Sequence, residues 1–381
     1  MRTTGPVHVM HVTQPVDGGT AAVVEQEAAT DLGSGRTVTI VSPPGRLSHW
    51  ASDHGARWVE LPLTRQPGAH DVAAVLALRR LLPSADLACL HSSKAGAVGR
   101  LALATLPRAS RPACVFTPHA WSWYVGGRAA PAYRGFERVA ARWADVIVAV
   151  SEDEARDGRR LLPGRSIRKV VLIENGVDLG AFSPIGPVAD RSPAPLVVSV
   201  GRLCAQKGQD SLIRAVARLE DRSVRLTLVG DGPDRADLQR LSDELGVEDR
   251  VDFIGQADPR PHYRAADLVV TASRWEGQSL VLLEAMASGA TVVATPAASS
   301  GLGPEAGVTV TDGAEPAQLA ATLADLLADP ARRVALAGTA RQFAQRHHSS
   351  ERTARQYDEL VNWISGRFSR RLSPPVAGSS R

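Results

Sequence analysis

At 381 residues the chain exceeds the size at which one hydrophobic core keeps growing, so two domains are expected. A net charge of +4 and a pI near 9.2 come from scattered arginines without a polybasic block; this suits an anionic substrate or an anionic membrane surface. No zinc-finger, helix-turn-helix or aromatic-basic stacking motif is visible, which sets nucleic-acid binding aside. Cys89, Cys114 and Cys204 lie in or beside apolar strand-like runs without metal-ligand spacing and read as small core residues of a reducing compartment. There is no secretory leader pattern, and no apolar run nears the ~18 residues of a membrane span, so the expected location is cytoplasmic.

In chain order, residues 7–13 form a buried-strand pattern, followed by a turn ending in Gly18 and Gly19 and a helical run over 20–32 with Ala21, Val24, Ala28 and Leu32 near helical spacing. Further strand-like runs are predicted at 37–41, 58–61, 87–91, 113–117, 146–150 and 170–173, most of them separated by helical patterns. Such alternation means an α/β domain with a doubly wound parallel sheet. Residues 184–195 are rich in Pro, Gly and Ser and read as an interdomain linker, closing a first domain of 1–183. The alternation restarts with strands at 196–200, 226–229, 251–254, 268–271, 291–294 and 308–310, and with helices at 210–219, 234–245, 279–288 and 316–327, giving a second domain of 196–350. Helical patterns at 331–346 and 351–366 close the chain, and 369–381 read as a disordered tail.

The most informative stretch is 276–289, Glu-Gly-Gln-Ser-Leu-Val-Leu-Leu-Glu-Ala-Met-Ala-Ser-Gly. Glu276, Gly277, Gln278 and Ser279 read as a loop, with Ser279 as N-cap of a helix that opens at Leu280 and stops at Gly289. Glu276 then sits on the rim before the helix and Glu284 in its second turn, with the amides of 277–280 between them. A helix N-terminus is a prepared anion site, and flanking carboxylates call for hydroxyls. Amides for a diphosphate and carboxylates for ribose and hexose together describe a site for a nucleotide sugar.

These residues carry a resemblance. Glu276-x7-Glu284 with its Glu-Ala-Met-Ala-x-Gly ending resembles the signature of the family 4 retaining glycosyltransferases, exopolysaccharide and cell-envelope type. The resemblance implies the GT-B fold, two doubly wound Rossmann-like domains facing each other across a cleft, the first for acceptor and the second for donor, with the 351–366 helix packing back on the first. Gly201-Arg202-Leu203 and Lys207-Gly208 match the family's Gly-Arg-Leu-x-x-x-Lys-Gly pattern; Arg202 offers a planar fork and Lys207 a point charge to a departing diphosphate. His119 resembles the family histidine near the reacting hexose, Gly18 and Gly19 stand in the first crossover where donor phosphate is held, and Gly255 lies in a segment that touches the base.

His91 at another strand end, and Trp121 and Trp123 as part of a lid, are the acceptor-side candidates. Residues 131–143 place Tyr133, Phe136, Val139, Ala140 and Trp143 on one helical face and Arg134, Arg138 and Arg142 on another, either a solvated basic face or a peripheral contact with the inner face of a membrane. The expected reaction is metal-independent transfer of a hexose, with retention, from a nucleoside-diphosphate sugar (UDP in the first instance) to a hydroxyl of a lipid-linked or polysaccharide precursor. Arg202, Lys207 and the helix N-terminus replace the metal, no Asp-x-Asp motif being present, and no other cofactor is expected. The rivals are a small natural-product acceptor, a nucleotide-sugar 2-epimerase of the same fold, and a non-catalytic sugar-nucleotide-binding protein. The chain departs from the family at Ser279, where proline or glycine is frequent, and over 296–305, where many members carry Gly-Gly-x-x-Glu.

Overall fold

Parallel strands buried on both faces need runs of β-branched and small apolar residues, and among the described residues thirteen strands form, most of them of that composition. The computed structural model describes residues 5–64, 68–162, 164–186, 188–189 and 193–372. They sort into two compact units: one of residues up to Ala149, Ala155–Ile173 and the chain from Ala354, the other of Val150–Glu154 and Glu174–Thr353.

The first unit holds a seven-stranded parallel sheet of β1 (His8–Thr13), β2 (Thr37–Ser42), β3 (Arg57–Glu60), β4 (Leu87–His91), β5 (Ala113–Thr117), β6 (Val146–Ala149) and β7 (Val170–Leu172), in the order β3-β2-β1-β4-β5-β6-β7. Met10, Val12, Leu90 and Phe116 fill one face, while Val9, Cys89, Val115 and Val148 pack against Tyr357, Val361 and Ile364 on the other. Those last three are spaced four and three apart on the helix Ser350–Leu372, one stripe of it. Burial of a large apolar side chain contributes ~1.5–3 kcal/mol, so this stripe favours docking of the helix on the sheet.

The second unit holds a six-stranded parallel sheet of β8 (Leu196–Val200), β9 (Arg225–Val229), β10 (Val251–Gly255), β11 (Leu268–Thr271), β12 (Val292–Ala294) and β13 (Val308–Val310), ordered β10-β9-β8-β11-β12-β13. Its two faces are filled around Leu212, Leu226 and Leu319 on one side and Val198, Leu283 and Met286 on the other. Both sheets reverse direction once, between β1 and β4 and between β8 and β11. In open parallel sheets the ligand crevice lies outside the carboxyl ends of the strands at that switch point.

Unit and helix boundaries differ from the sequence reading. The second unit takes over at Glu174, not after the 184–195 segment, because Val177 pairs with Ser349 and Asn175 is bonded to Gln278, long-range contacts that composition does not reveal. Of that segment, residues 187 and 190–192 lie outside the described residues. The last helix runs on through Leu372, past the start of the expected tail, and 373–381 lie outside the described residues.

The basic helix is shorter than 131–143, spanning Ala130–Ala140 before a 3-10 turn, and its inward face differs. Val139 is exposed, and the inward position is taken by Glu137, whose carboxylate meets Arg100. Among the described residues no helix is long and apolar enough to cross a membrane.

Candidate active site

In the second unit the loops after β8 and β11, the two strands at its switch point, come together. After β8 the chain makes a 3-10 turn at Ala205–Lys207 and then a left-handed turn at Gly208, φ +66°. A Cβ at Gly208 would lie 2.1 Å from the Ala272 carbonyl oxygen, so only glycine lets this loop close on the end of β11. The closure is tied by Arg274 N donating to Gln206 O at 2.7 Å and by the Arg274 guanidinium reaching Ala205 O and Asp210. Burial would raise the Asp210 carboxyl, but the Arg274 bond prevails and holds it below its ordinary value.

This brings Lys207 onto Glu276: Nζ to Oε1 is 2.5 Å, with the side chains 21% and 10% exposed. Glu276 also accepts from Ser273 Oγ at 2.8 Å, and Gln206 Nε2 donates to Trp275 O at 3.0 Å. Cation and carboxylate are thus held on two loops, partly open to a ligand.

The helix that follows is Leu280–Ala287, with Ser279 as its N-cap; Ser279 Oγ accepts from Leu282 N at 3.3 Å. Its buried hydroxyl is therefore spent on the cap. Gln278 is also turned inward: Oε1 accepts from Asn175 N at 2.6 Å, and its buried Nε2 has no hydrogen-bond partner among the described residues. Both side chains help to order the loop before the helix. Glu284 accepts from Tyr263 Oη at 2.8 Å, and burial together with Glu284 pushes the phenol's pKa well up, keeping it a donor.

The Gly255 carbonyl accepts from Gly230 N at 2.8 Å, joining the loops after β9 and β10. Arg202 is exposed, its side chain has no protein partner among the described residues, and its carbonyl is held by Gln209 Nε2. Gly277 is buried in the loop before Ser279, and Leu280 opens the helix.

In the first unit the helix begins at Gly18, two residues earlier than predicted, with Gly18 at φ +70° and no atom within 4 Å of where its Cβ would stand. Glycine is required here by backbone conformation rather than by crowding; Gly19 follows it in the first helical turn.

The more informative feature is a staircase of histidines. In the sheet register His11 of β1 lies beside Cys89 of β4, and Thr117 of β5 beside His91, so His11, His91 and His119 each stand one strand over and two residues up, on one face of the sheet. His11 Nδ1 meets His91 Nε2 at 3.1 Å, and His91 Nδ1 meets His119 Nε2 at 3.2 Å. His11 Nε2 continues to Asp31 Oδ2 at 2.9 Å. Burial holds the His91 pKa well below its ordinary value, reinforced by His11 and His119, and burial brings His119 down to about 4, so both rings are neutral at neutral pH.

His119 has φ +52°, Ala120 +96° and Ser92, just after His91, +77°. Non-glycine residues in this region cost of order 1–3 kcal/mol each, and such strain gathers at functional sites. Here it falls at the carboxyl ends of β4 and β5. His11, Glu27 and His91 are also the one group among the described residues whose ligand-type atoms could surround a cation, all within 4.8 Å of one another.

Two acceptor-side expectations are corrected. His91 is fully buried and both its ring nitrogens are engaged by other histidines, so it cannot touch an acceptor. Trp121 and Trp123 are 1% and 6% exposed, stacked on each other at 4.6 Å within the core of this unit. Aromatics beside a strand-end loop look like a lid in sequence, but here they plug the sheet end. The sequence reading missed His11, Glu27, Asp31 and Tyr357; the available signal was a histidine inside an otherwise apolar central strand, and Asp31 three residues beyond Ala28 on the helix's buried face.

Comparison with known proteins agrees with this architecture. Residues 18–176 match the Glycosyl transferase 4-like domain, and residues 194–329 match Glycosyl transferases group 1. A D-inositol 3-phosphate glycosyltransferase of Xylanimonas cellulosilytica is 34% identical over 249 residues, 59% of this chain and 58% of that protein. The chain thus spans less than two thirds of that relative's length.

The structure of sucrose-phosphate synthase from Thermosynechococcus elongatus superposes with a TM-score of 0.80 at 23% identity, covering 95% of this chain and all of that one. The structure of HepE from Anabaena in complex with UDP and glucose superposes with a TM-score of 0.76 at 22% identity, covering 93% and 99%. With its two matched domains and its pair of Rossmann-like parallel sheets, the chain belongs to the family 4 glycosyltransferases of GT-B fold.

Proposed function

We propose that the protein transfers a hexosyl group, with retention and without a metal, from a nucleoside-diphosphate sugar to a hydroxyl acceptor. The observation that carries this is the Lys207–Glu276 pair at the switch point of the second sheet, beside the first turn of the Ser279-capped helix. In the proposed scheme the arriving diphosphate competes for the Lys207 ammonium and takes the free amides of the helix start. Arg202, whose side chain has no protein partner among the described residues, adds a fork of donors. Glu276, released from Lys207, accepts from hexose hydroxyls, while Glu284 is assigned to the ribose. The departing phosphate collects negative charge where these donors converge, and it takes the acceptor's proton on the same face, so no protein nucleophile is required.

UDP is the first donor to test, since HepE is a structural neighbour bound to UDP and glucose. For the acceptor we infer a lipid-linked or polysaccharide precursor. Similarity to a D-inositol 3-phosphate glycosyltransferase favours a second reading, a small phosphorylated polyol.

A thermal-shift screen against nucleoside diphosphates and their sugars, followed by incubation of the best donor with and without acceptor, tests the reading. Stabilisation by one nucleoside diphosphate and acceptor-dependent product of retained configuration are expected. An isomerised sugar formed without acceptor would identify an epimerase instead, and binding without turnover across acceptors of both classes would favour a binding protein.

A further inference from the structure

Each neutral imidazole has one N–H donor and one bare acceptor nitrogen, so a row of hydrogen-bonded histidines must run head to tail, and whatever stands at one end sets the direction of all. In the first unit that end is Asp31, fully buried on the helix Gly18–Gly33. Its Oδ1 accepts from Arg36 Nη1 at 2.9 Å, and a guanidinium can only donate. Its Oδ2 accepts from Tyr357 Oη at 2.9 Å. Arg36 is itself anchored to Asp358 Oδ1 at 2.6 Å and Asn362 Oδ1 at 2.7 Å. Asp31 is therefore an acceptor on every side, and the His11 nitrogen facing it, Nε2, must carry the proton.

With His11 a neutral imidazole, its Nδ1 is bare and meets His91 Nε2, which must donate; His91 Nδ1 is then bare and meets His119 Nε2, which must donate in turn. This leaves His119 Nδ1 bare, and it has no protein partner among the described residues. We propose that Asp31, acting through His11 and His91, fixes His119 in the Nε2–H form, so that its Nδ1 is a standing hydrogen-bond acceptor just beyond the carboxyl end of β5.

The surroundings keep the relay from being scrambled. His11 and His91 are fully buried, and depressed pKa values keep His91 and His119 uncharged near neutral pH. Glu27 stands 3.9 Å from His11 Nδ1 and 3.7 Å from His91 Nε2, but burial, with Asp31 adding to it, raises its pKa well above the ordinary carboxylate value and favours the neutral acid. Cys89, 3.6 Å from Tyr357 Oη, is held as a thiol chiefly by burial. A cation among His11, Glu27 and His91 would give the opposite result. It would occupy His91 Nε2, move the proton to His91 Nδ1, and turn His119 Nδ1 into a donor.

The test is long-range proton–nitrogen NMR on the full chain labelled with 15N-histidine, at pH 7 with and without added zinc, the three rings being assigned with single His→Gln variants. All three rings are expected as Nε2–H tautomers in both samples, and Asp31→Asn should abolish the uniform pattern, whereas Tyr357→Phe, which keeps the carboxylate, should retain it. An Nδ1–H form or an imidazolium at His91 or His119, or a switch to Nδ1–H on adding zinc, would overturn the proposal. Should Asp31→Asn not fold, His11→Phe cuts the same relay, and an unchanged His119 signal in it would equally overturn it. These readouts need no turnover, so they stand apart from the proposed reaction. In an assay of transfer, Asp31→Asn should add no loss to His119→Gln, and additive losses would show that Asp31 acts by another route.

Discussion

Lys207→Ala is expected to lower transfer by about 100- to 1000-fold, the usual result of removing one well-placed donor to developing charge. The protein should stay folded, because among the described residues Lys207 Nζ is bonded to Glu276 alone and is partly exposed. Glu276→Ala should produce a loss of similar size. In the proposed complex the two groups are parted and hold different parts of the donor, so their losses should largely add in the double variant. Steady-state rates, with circular dichroism to confirm folding, check this, and near-normal rates for either single variant would overturn the site assignment.

The largest expected effect on stability lies elsewhere in the fold. Arg100 is fully buried on the helix Ser92–Thr105 and forms a two-pronged pair with Glu137, Nη1 to Oε2 at 2.7 Å and Nη2 to Oε1 at 2.9 Å. Its Nε donates to Gly96 O at 2.8 Å, and the guanidinium lies 3.8 Å from the centroid of the Phe116 ring. Glu137→Ala leaves this cation in the core without its counter-charge, which costs about 3–5 kcal/mol. Replacing both partners, Arg100→Met with Glu137→Leu, should cost less than the single change, since no charge is then stranded. Denaturant unfolding measures both, and a loss below about 1 kcal/mol for Glu137→Ala would mean that water reaches the pair.

The fold was legible because parallel strands announce themselves locally. Runs such as Leu196–Val200 and Leu268–Thr271 are apolar on both faces and bounded by turn residues, so their number and order could be read from the chain. The helix after Ser279 was legible for the same reason, as its cap and its glycine stop lie within a dozen residues. Unit boundaries were not, since the Pro/Gly/Ser-rich segment marks a loop but does not say with which sheet Asn175 or Val177 packs. Trp121 and Trp123 were misplaced because propensity does not tell a lid from a plug; only their stacking beneath the end of β5 decides it.

The histidine relay lay furthest out of reach. Its members stand at 11, 31, 91, 119 and 357, and no window of sequence contains more than two of them. What joins them is the register of three parallel strands and the return of the last helix to the first unit. His11 and Asp31 did carry a trace of it, each a polar residue on a face otherwise reserved for apolar ones. Apolar spacing points to Leu32 as the next inward position of the helix, yet Asp31 is the buried one.

In the proposed function, groups of the second unit, Lys207 foremost, grip the diphosphate of a nucleotide sugar. A crystal structure of the chain with the nucleoside diphosphate that stabilises it most would show whether they do. The diphosphate is expected within hydrogen-bond reach of Lys207, Arg202 and the amides that open the helix Leu280–Ala287, with Glu276 parted from Lys207. A diphosphate bound away from these residues, with the Lys207–Glu276 pair undisturbed, would contradict it.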